Sequence, residues 1–193
     1  DHLSEYPKKA HIVAPAPGGT VDGEYGGTGL PFGLTGVSTG IQWLLVQDES
    51  AGASGILSTY SAHKLSNGAS LVLPVVDQQV LQSIIFAQPN SPNLSGLASQ
   101  ILLLVRRQGS PASGVTLTSS AFGGIVAYDV SAGVYSSVSA KKTGGSGVIL
   151  MLNVGAASGG GELQILLTDD ANETFALTVP VAAGTATIAE ADL

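Results

Sequence analysis

The chain has no cysteine, few aromatic residues and little charge. Among its 193 residues 5% are aromatic, 11% carry a formal charge, and none is Cys. Without Cys there is no disulfide framework and no thiolate to act as nucleophile or metal ligand. The compartment is not fixed by this absence. A core with so few aromatic rings must be built mainly from Val, Leu, Ile and Ala.

Basic residues are especially scarce. Seven Lys and Arg stand against fourteen Asp and Glu, which gives a net charge of −7. The basic pairs Lys8-Lys9, Arg106-Arg107 and Lys141-Lys142 lie far apart in the sequence. Because nucleic-acid binding needs clustered Lys and Arg, we expect no nucleic-acid partner and predict that each pair lies at a solvated strand end or turn. Low charge also does little to keep copies apart, so neighbouring copies are expected to cover part of the surface.

Long apolar runs are missing as well. The longest runs are short, such as Leu71–Val76 and Ile101–Val105, and fall far short of the ~18 residues that a membrane helix requires, so no membrane insertion is expected. The chain starts at Asp1 without a signal-like apolar segment. Together with strands rich in Gly, Ser and Thr, this predicts a secreted chain whose signal peptide has been removed, located outside the cell or on its surface.

Short β-branched runs separated by Gly, Ser and Pro fill the second half of the chain. Alternation of apolar and polar residues at this spacing is typical of an antiparallel β-sandwich. The sequence therefore predicts an all-β fold of the Greek-key sandwich type, with a domain over residues 99–193. Its predicted strands span 100–106, 114–119, 124–129, 133–140, 147–153, 162–168, 174–180 and 185–189.

The first half is less regular. Residues 1–19 are predicted to form an extended arm, in which His11, Ile12, Val13 and Ala14 make a strand-like run before a Pro- and Gly-rich break. Residues 20–98 are predicted to form a Gly-rich β region. Within it, 20–40 is interpreted as irregular loop, and strands are expected at 41–47, 55–63 and 71–76.

One segment has the periodicity of a helix. Over residues 77–88 the apolar residues recur at helical spacing, with Asp77 as a possible cap and Pro89 as a stop. The stripe consists of Val76, Val80, Leu81, Ile84 and Ile85. A helix of this length is marginal alone, so it is expected to pack on a sheet.

Several segments of the second half resemble the carboxypeptidase regulatory-like, or transthyretin-like, sandwich domain. The segment Gly109–Leu117 is similar to that family's Gly-x-Pro-x-x-Gly-Val-x-Val turn. Tyr128-Asp129, Thr143–Gly147 with Leu152–Val154, and Val179–Ile188 resemble the strand pair and last hairpin that follow in it. The sequence departs from the family between Val154 and Leu163. The resemblance implies a β-sandwich with a binding or scaffolding role and no catalytic residues.

No arrangement of side chains identifies an active site, so no catalytic, cofactor-binding or metal-ligating residue is assigned. The three histidines, His2, His11 and His63, lack metal-ligand spacing, and Ser146 lies in a Gly-rich turn that does not match a nucleophile elbow. Two questions stay open. Asp169, Asp170, Asn172 and Glu173 offer calcium-type oxygens but also suit a hairpin turn, and sequons begin at Asn93 and Asn172.

Sparse charge and the lack of a converging polar site favour a structural role. The sequence predicts a secreted, non-catalytic subunit that assembles with copies of itself into a filament or surface layer. His11, Ile12, Val13 and Ala14 are the predicted partner-binding residues, adding a strand to an open sheet edge of a neighbour. The alternative is an extracellular carbohydrate-binding module, for which Trp43, Tyr60, Tyr128 and Tyr135 are the available aromatic residues.

Overall fold

A computed structural model describes residues 10–16, 19–25, 37–48, 55–68, 71–90, 92–119, 123–156 and 160–193. In the first two ranges and at Asp48 only the main chain is described. The protein is mostly β, with several sheets and one short helix, which confirms the predicted all-β class. The Greek-key connectivity stays a prediction.

Internal contacts divide the chain into two units, Asp1–Gln78 and Gln79–Leu193. The division falls at the start of the helix. The domain boundaries predicted after residues 19 and 98 lie elsewhere, and they stay predictions.

Unit 1 contains an antiparallel sheet. Its strands are β1 (Ala10–Ala16), β2 (Gly19–Tyr25), β3 (Gly40–Asp48), β4 (Ile56–Leu65) and β5 (Val76–Asp77). They are arranged in the order β2-β1-β3-β4, and β5 pairs with the start of β4. The strands β3 and β4 correspond to the strands predicted at 41–47 and 55–63.

Two expectations for unit 1 were wrong in detail. Residues 19–25 form β2, within a segment interpreted as irregular loop, and every residue of it pairs with β1 from Ala16↔Gly19 to Ala10↔Tyr25. The strand predicted at 71–76 is confined to Val76 and Asp77. Pro74 has no N–H to donate, which disfavours a continuous strand there.

The two faces of the β3–β4 pair differ in burial. Leu44 lies opposite Ser61 and Val46 opposite Thr59, and all four side chains are buried. Thr59 is fully paired, since its Oγ1 donates to the Leu57 carbonyl at 2.7 Å and accepts from the Val76 N–H at 3.1 Å. The other face is partly exposed.

Unit 2 contains the helix and two sheets. The helix α1 (Gln78–Phe86) starts at the boundary between the units. The strands are β6 (Ala98–Arg107), β7 (Ser110–Pro111), β8 (Thr116–Leu117), β9 (Ile125–Ser131), β10 (Val134–Ser136), β11 (Val148–Gly155), β12 (Gly161–Thr168), β13 (Thr174–Val181) and β14 (Thr185–Asp192). One sheet has the order β10-β9-β11-β6-β14, with β7 beside β6, and the other has the order β13-β12-β8. β14 runs parallel to β6, whereas the other pairs are antiparallel.

The two sheets of unit 2 have a sandwich-like arrangement with an aliphatic core. Ile101 and Leu103 of β6 lie opposite Met151 and Ile149 of β11, so their buried side chains share one face. β12 buries Ile165 and Leu167 in the second sheet. A link between the sheets is made by Tyr128, whose hydroxyl accepts a hydrogen bond from the Leu117 N–H of β8 at 3.0 Å.

The helix is shorter than predicted and is attached to the β10 segment. Leu81 and Ile85 are buried, as the periodicity predicted, but Val80 is exposed. Just beyond the helix, Gln88 donates to the Tyr135 carbonyl at 3.3 Å and accepts from the Ser137 N–H at 2.8 Å. This buried amide therefore fixes the C-terminal end of α1 against the residues of β10.

Candidate functional site

Asp129 is a buried carboxylate that organises a loop. It lies on β9, is 2% exposed, and accepts hydrogen bonds from the N–H groups of Gly144, Ser146 and Val148 at 2.9, 2.7 and 3.1 Å. Burial, and secondly the negative charge of Asp129, raise the pKa of Tyr135. Since both carboxylate oxygens already accept main-chain hydrogen bonds, this group holds the Gly-rich turn around Ser146 in place.

The acidic turn after β12 is likewise internally bonded. One oxygen of Asp169 accepts from the N–H groups of Ala171 and Glu173, and the other accepts from Arg107 at 2.5 Å. Asp170 pairs with Lys142 at 3.2 Å. The part of the chain that the structure describes contains no cluster of three or more acidic or His residues that could hold a metal ion. Both carboxylates thus have partners within the protein.

His63 makes a hydrogen bond with a buried serine. Its Nε2 lies 2.8 Å from the Oγ of Ser61, two residues earlier on β4. A Ser–His contact is the arrangement of an activated nucleophile, but the Ser61 residue is only 3% exposed. Burial lowers the pKa of His63, so the neutral imidazole is the favoured partner of this hydroxyl. His2 lies outside the described residues, and for His11 only the main chain is described.

The four aromatic residues considered for carbohydrate are divided between the two units. Tyr128 lies in the sandwich core of unit 2, and Tyr135 is half-buried on β10. In unit 1, Trp43 lies opposite Ala62 and Leu45 lies opposite Tyr60, so Trp43 and Tyr60 are diagonal neighbours on one face. Both are partly exposed, and burial raises the pKa of Tyr60.

The predicted partner-binding segment has partners within its own chain. Across β1, His11, Ile12 and Val13 pair with β2 on one side and with β3 on the other, and Ala14 pairs with Val21 of β2. Pairing of this segment with a neighbouring copy stays a prediction. It would require the strand to leave at least one of these partners.

An open sheet edge is found instead at β13. This strand ends the order β13-β12-β8, and no described strand pairs with its outer side. The hydrogen bonds of β12 show which groups point outward. The Thr118 N–H donates to the Leu166 carbonyl at 2.9 Å. The main-chain N–H and C=O groups of the even-numbered residues of β12 therefore point towards β8, and those of the odd-numbered residues point towards β13.

The register then identifies the free main-chain groups of β13. Leu167 pairs with Phe175 and Ile165 with Leu177, and at the hairpin end the Asp169 N–H donates to the Glu173 carbonyl at 3.1 Å. The main-chain N–H and C=O groups of the odd-numbered residues of β13 therefore form hydrogen bonds with β12. The N–H and C=O groups that point outward belong to Thr174, Ala176 and Thr178.

One end of this edge is closed by the chain itself. Pro180 has no N–H, and its carbonyl accepts a hydrogen bond from the Thr187 hydroxyl of β14 at 2.7 Å. We define the β13 edge as residues 174–178. Its side chains on the outer face, Thr174, Ala176 and Thr178, are exposed, whereas Phe175 and Leu177 point towards the core and are partly exposed.

The β13 edge differs from the other strand edges that the structure describes. It has no charged side chain, although edge strands of soluble proteins normally carry charge or are very short. β8 and β10 have only two and three residues, and the sequence of β2 includes Asp22 and Glu24. The strand itself was predicted at 174–180, but its position at the end of a sheet was not predicted from the sequence.

Comparison of the chain with protein-family models, with curated proteins and with solved structures gives no significant match. Within the described residues, no helix has the length and hydropathy needed to cross a membrane.

Proposed function

We propose that this protein is a non-catalytic structural subunit that associates with copies of itself. The observation that carries the proposal is the β13 edge, where uncharged residues present main-chain donors and acceptors that no described strand pairs. Unpaired edge groups of this kind are templates for strand addition by another chain. The expected setting is extracellular, in a filament or surface layer, as the composition suggested.

The bonding of the acidic residues supports this proposal. Asp129, Asp169 and Asp170 all bond to groups within the chain and stabilise turns. An enzyme normally keeps some titratable groups converging on a site that a substrate can reach. These three carboxylates instead hold loops, which is what a structural subunit requires.

Assembly through the β13 edge is better supported than assembly through the N-terminal strand. The edge already lacks a partner among the described strands, whereas β1 has one on each side. Exchange of β1 would first break its pairing with β3 or β2. Addition at the β13 edge breaks no strand pairing.

The proposal is tested by measuring the mass of the purified chain in solution by light scattering over a dilution series, with negative-stain electron microscopy of the same samples. We expect a species heavier than the 19.3 kDa chain that dissociates on dilution. A 19.3 kDa species at every concentration, with no regular particles, would refute self-association.

The second candidate function is carbohydrate binding, favoured by the position of Trp43 and Tyr60 on one partly exposed face of unit 1. Aromatic faces of this kind stack on apolar surfaces of ligands. Since Trp43 is the only Trp, its fluorescence reports on this face directly. A shift with defined oligosaccharides that Tyr60→Ala weakens would support the function; no shift across the panel would exclude it.

A further inference from the structure

We propose that the β13 edge pairs with the β13 edge of a second copy, antiparallel and centred on Ala176. This inference rests on the proposed self-association and specifies its geometry. The pairing would join the sheet β8-β12-β13 of one copy to the same sheet of the other across a two-fold axis.

The main-chain groups of the edge are self-complementary in this register. When Ala176 lies opposite Ala176 of the second copy, Thr174 lies opposite Thr178. All of these residues direct their N–H and C=O groups outward, so each opposed pair exchanges both hydrogen bonds. A shift by one residue would instead place the outward groups opposite groups already bonded to β12.

The side chains are self-complementary as well. Residues 174–178 read Thr-Phe-Ala-Leu-Thr, an order of polar, large apolar and small residues that is the same in both directions. Directly opposed residues share a face. Thr therefore meets Thr on the outer face, and Phe175 meets Leu177 on the core face, where both side chains are only partly covered in the single chain.

The distribution of charge also favours pairing of the β13 edge with that of a second copy. The chain carries a net charge of −7, so two copies repel each other in general, but the edge itself is neutral. Glu173, next to the edge, would lie opposite Val179 of the second copy. The two Glu173 residues then end up at opposite ends of the pairing, about 20 Å apart along the strands, where salt screens their repulsion.

Cysteine cross-linking tests the register, because the native chain has no Cys. In the proposed pairing the two copies of residue 176 form a hydrogen-bonded pair with Cα atoms about 5.5 Å apart, within the span of a disulfide. Ala176→Cys should therefore form a covalent dimer under mild oxidation. Thr178→Cys is the matched control, since its two copies would lie about 14 Å apart.

The control variant also supplies a positive test. Thr178→Cys mixed with Thr174→Cys should give the mixed dimer, because these positions lie opposite each other in the proposed register. Neither variant alone should cross-link efficiently. Equal cross-linking of Ala176→Cys and Thr178→Cys alone, or none in any sample that light scattering shows to be associated, would overturn the inference.

A charge placed at the two-fold axis gives an independent test. Ala176→Lys puts two ammonium groups opposite each other and should raise the dimer dissociation constant by about tenfold or more. Gln164→Lys adds the same charge to the exposed outer face of β12, where Gln164 lies opposite Thr178 and one strand inward from the edge, and should change the dissociation constant much less. An equal effect of both variants, or none of either, would contradict the pairing.

These outcomes separate the inference from the function on which it rests. If the wild-type chain associates but the cross-links fail, the β13 pairing is wrong and self-association through another surface remains. If the wild-type chain is monomeric at every concentration, both are wrong.

Discussion

Replacement of Asp129 should destabilise the protein strongly, because this buried carboxylate holds a loop in place. Its carboxylate is the acceptor for three main-chain N–H groups, those of Gly144, Ser146 and Val148. In Asp129→Ala all three lose a charged acceptor inside or at the edge of the core. The loop cannot simply close the gap, since Gly144 already lies against the main chain of β9.

The size of the effect follows from the hydrogen bonds. A bond to a charged group contributes about 1.5–3 kcal/mol, so the sum for three bonds is an upper limit of about 5–9 kcal/mol. Water can reach the half-buried Ser146 once the carboxylate is gone, and this hydration reduces the loss of stability. We expect Asp129→Ala to lower the free energy of unfolding by about 3–5 kcal/mol. Asp129→Asn, which keeps one acceptor oxygen, should lower it by about 1–3 kcal/mol.

Urea unfolding followed by circular dichroism measures these differences, with an unchanged slope against urea as the test of two-state behaviour. Asp170→Asn is the matched control. Its side chain is 69% exposed and pairs with Lys142, so the loss of its charge should cost less than about 1 kcal/mol. If Asp129→Asn and Asp170→Asn cost the same, the carboxylate does not hold the loop and the reasoning fails.

Two further predictions concern single contacts. Tyr128→Phe leaves the Leu117 N–H without its acceptor and should cost about 1–2 kcal/mol in urea unfolding, whereas an unchanged midpoint would mean that the link between the sheets adds nothing. Burial lowers the pKa of His63 in the folded state. Below about pH 6.5 the unfolded chain therefore binds a proton at this residue more readily than the folded chain does. The free energy of unfolding then falls as the pH decreases towards the lower pKa of the folded state. His63→Gln should remove that component of the pH dependence, and parallel pH profiles for the two proteins would contradict it.

The longer strands of unit 2 were predictable because each has its own local pattern. By contrast, β7 was not predicted, and β8 and β10 are shorter than the strands predicted at 114–119 and 133–140. Runs such as Ile101–Val105 and residues 162–168 are rich in β-forming residues and are separated by Gly, Ser and Asp. The helix was predictable for the same reason, from the spacing of Leu81 and Ile85. Local patterns of this kind need no knowledge of the partner strand.

The strand predictions from the sequence were wrong where hydrogen bonding to another strand outweighs the local conformational preference of the residues. β2 contains Gly19, Asp22 and Gly23, which are poor strand formers, yet it is a strand because each of its residues pairs with β1. The apolar run Leu71–Val76 has the opposite character, since a favourable composition is interrupted by Pro74. In both segments the outcome depends on hydrogen bonds to another strand, which the local pattern does not contain.

Part of the candidate site, the β13 edge, could be predicted from the sequence. The strand at 174–180 and its lack of charge could be read directly, but its position at the end of a sheet could not, because strand order is set by tertiary pairing. The same holds for Asp129, whose partners lie on a later loop. The resemblance to the transthyretin-like family predicted a sandwich but no particular edge.

The symmetry of the proposed pairing limits how far assembly can proceed through it. Two-fold pairing uses both β13 edges, and the joined sheet then ends at β8 on each side, a strand of only two residues. Such short edges are poor templates for further strand addition, so pairing at β13 stops at a dimer. A filament or surface layer would need a second interface. The face of unit 1 that carries Trp43 and the exposed Ile41 is one candidate for it. A discrete dimer that gives the cross-links of the proposed register would then indicate pairing at β13, whereas regular fibres would require a second surface as well.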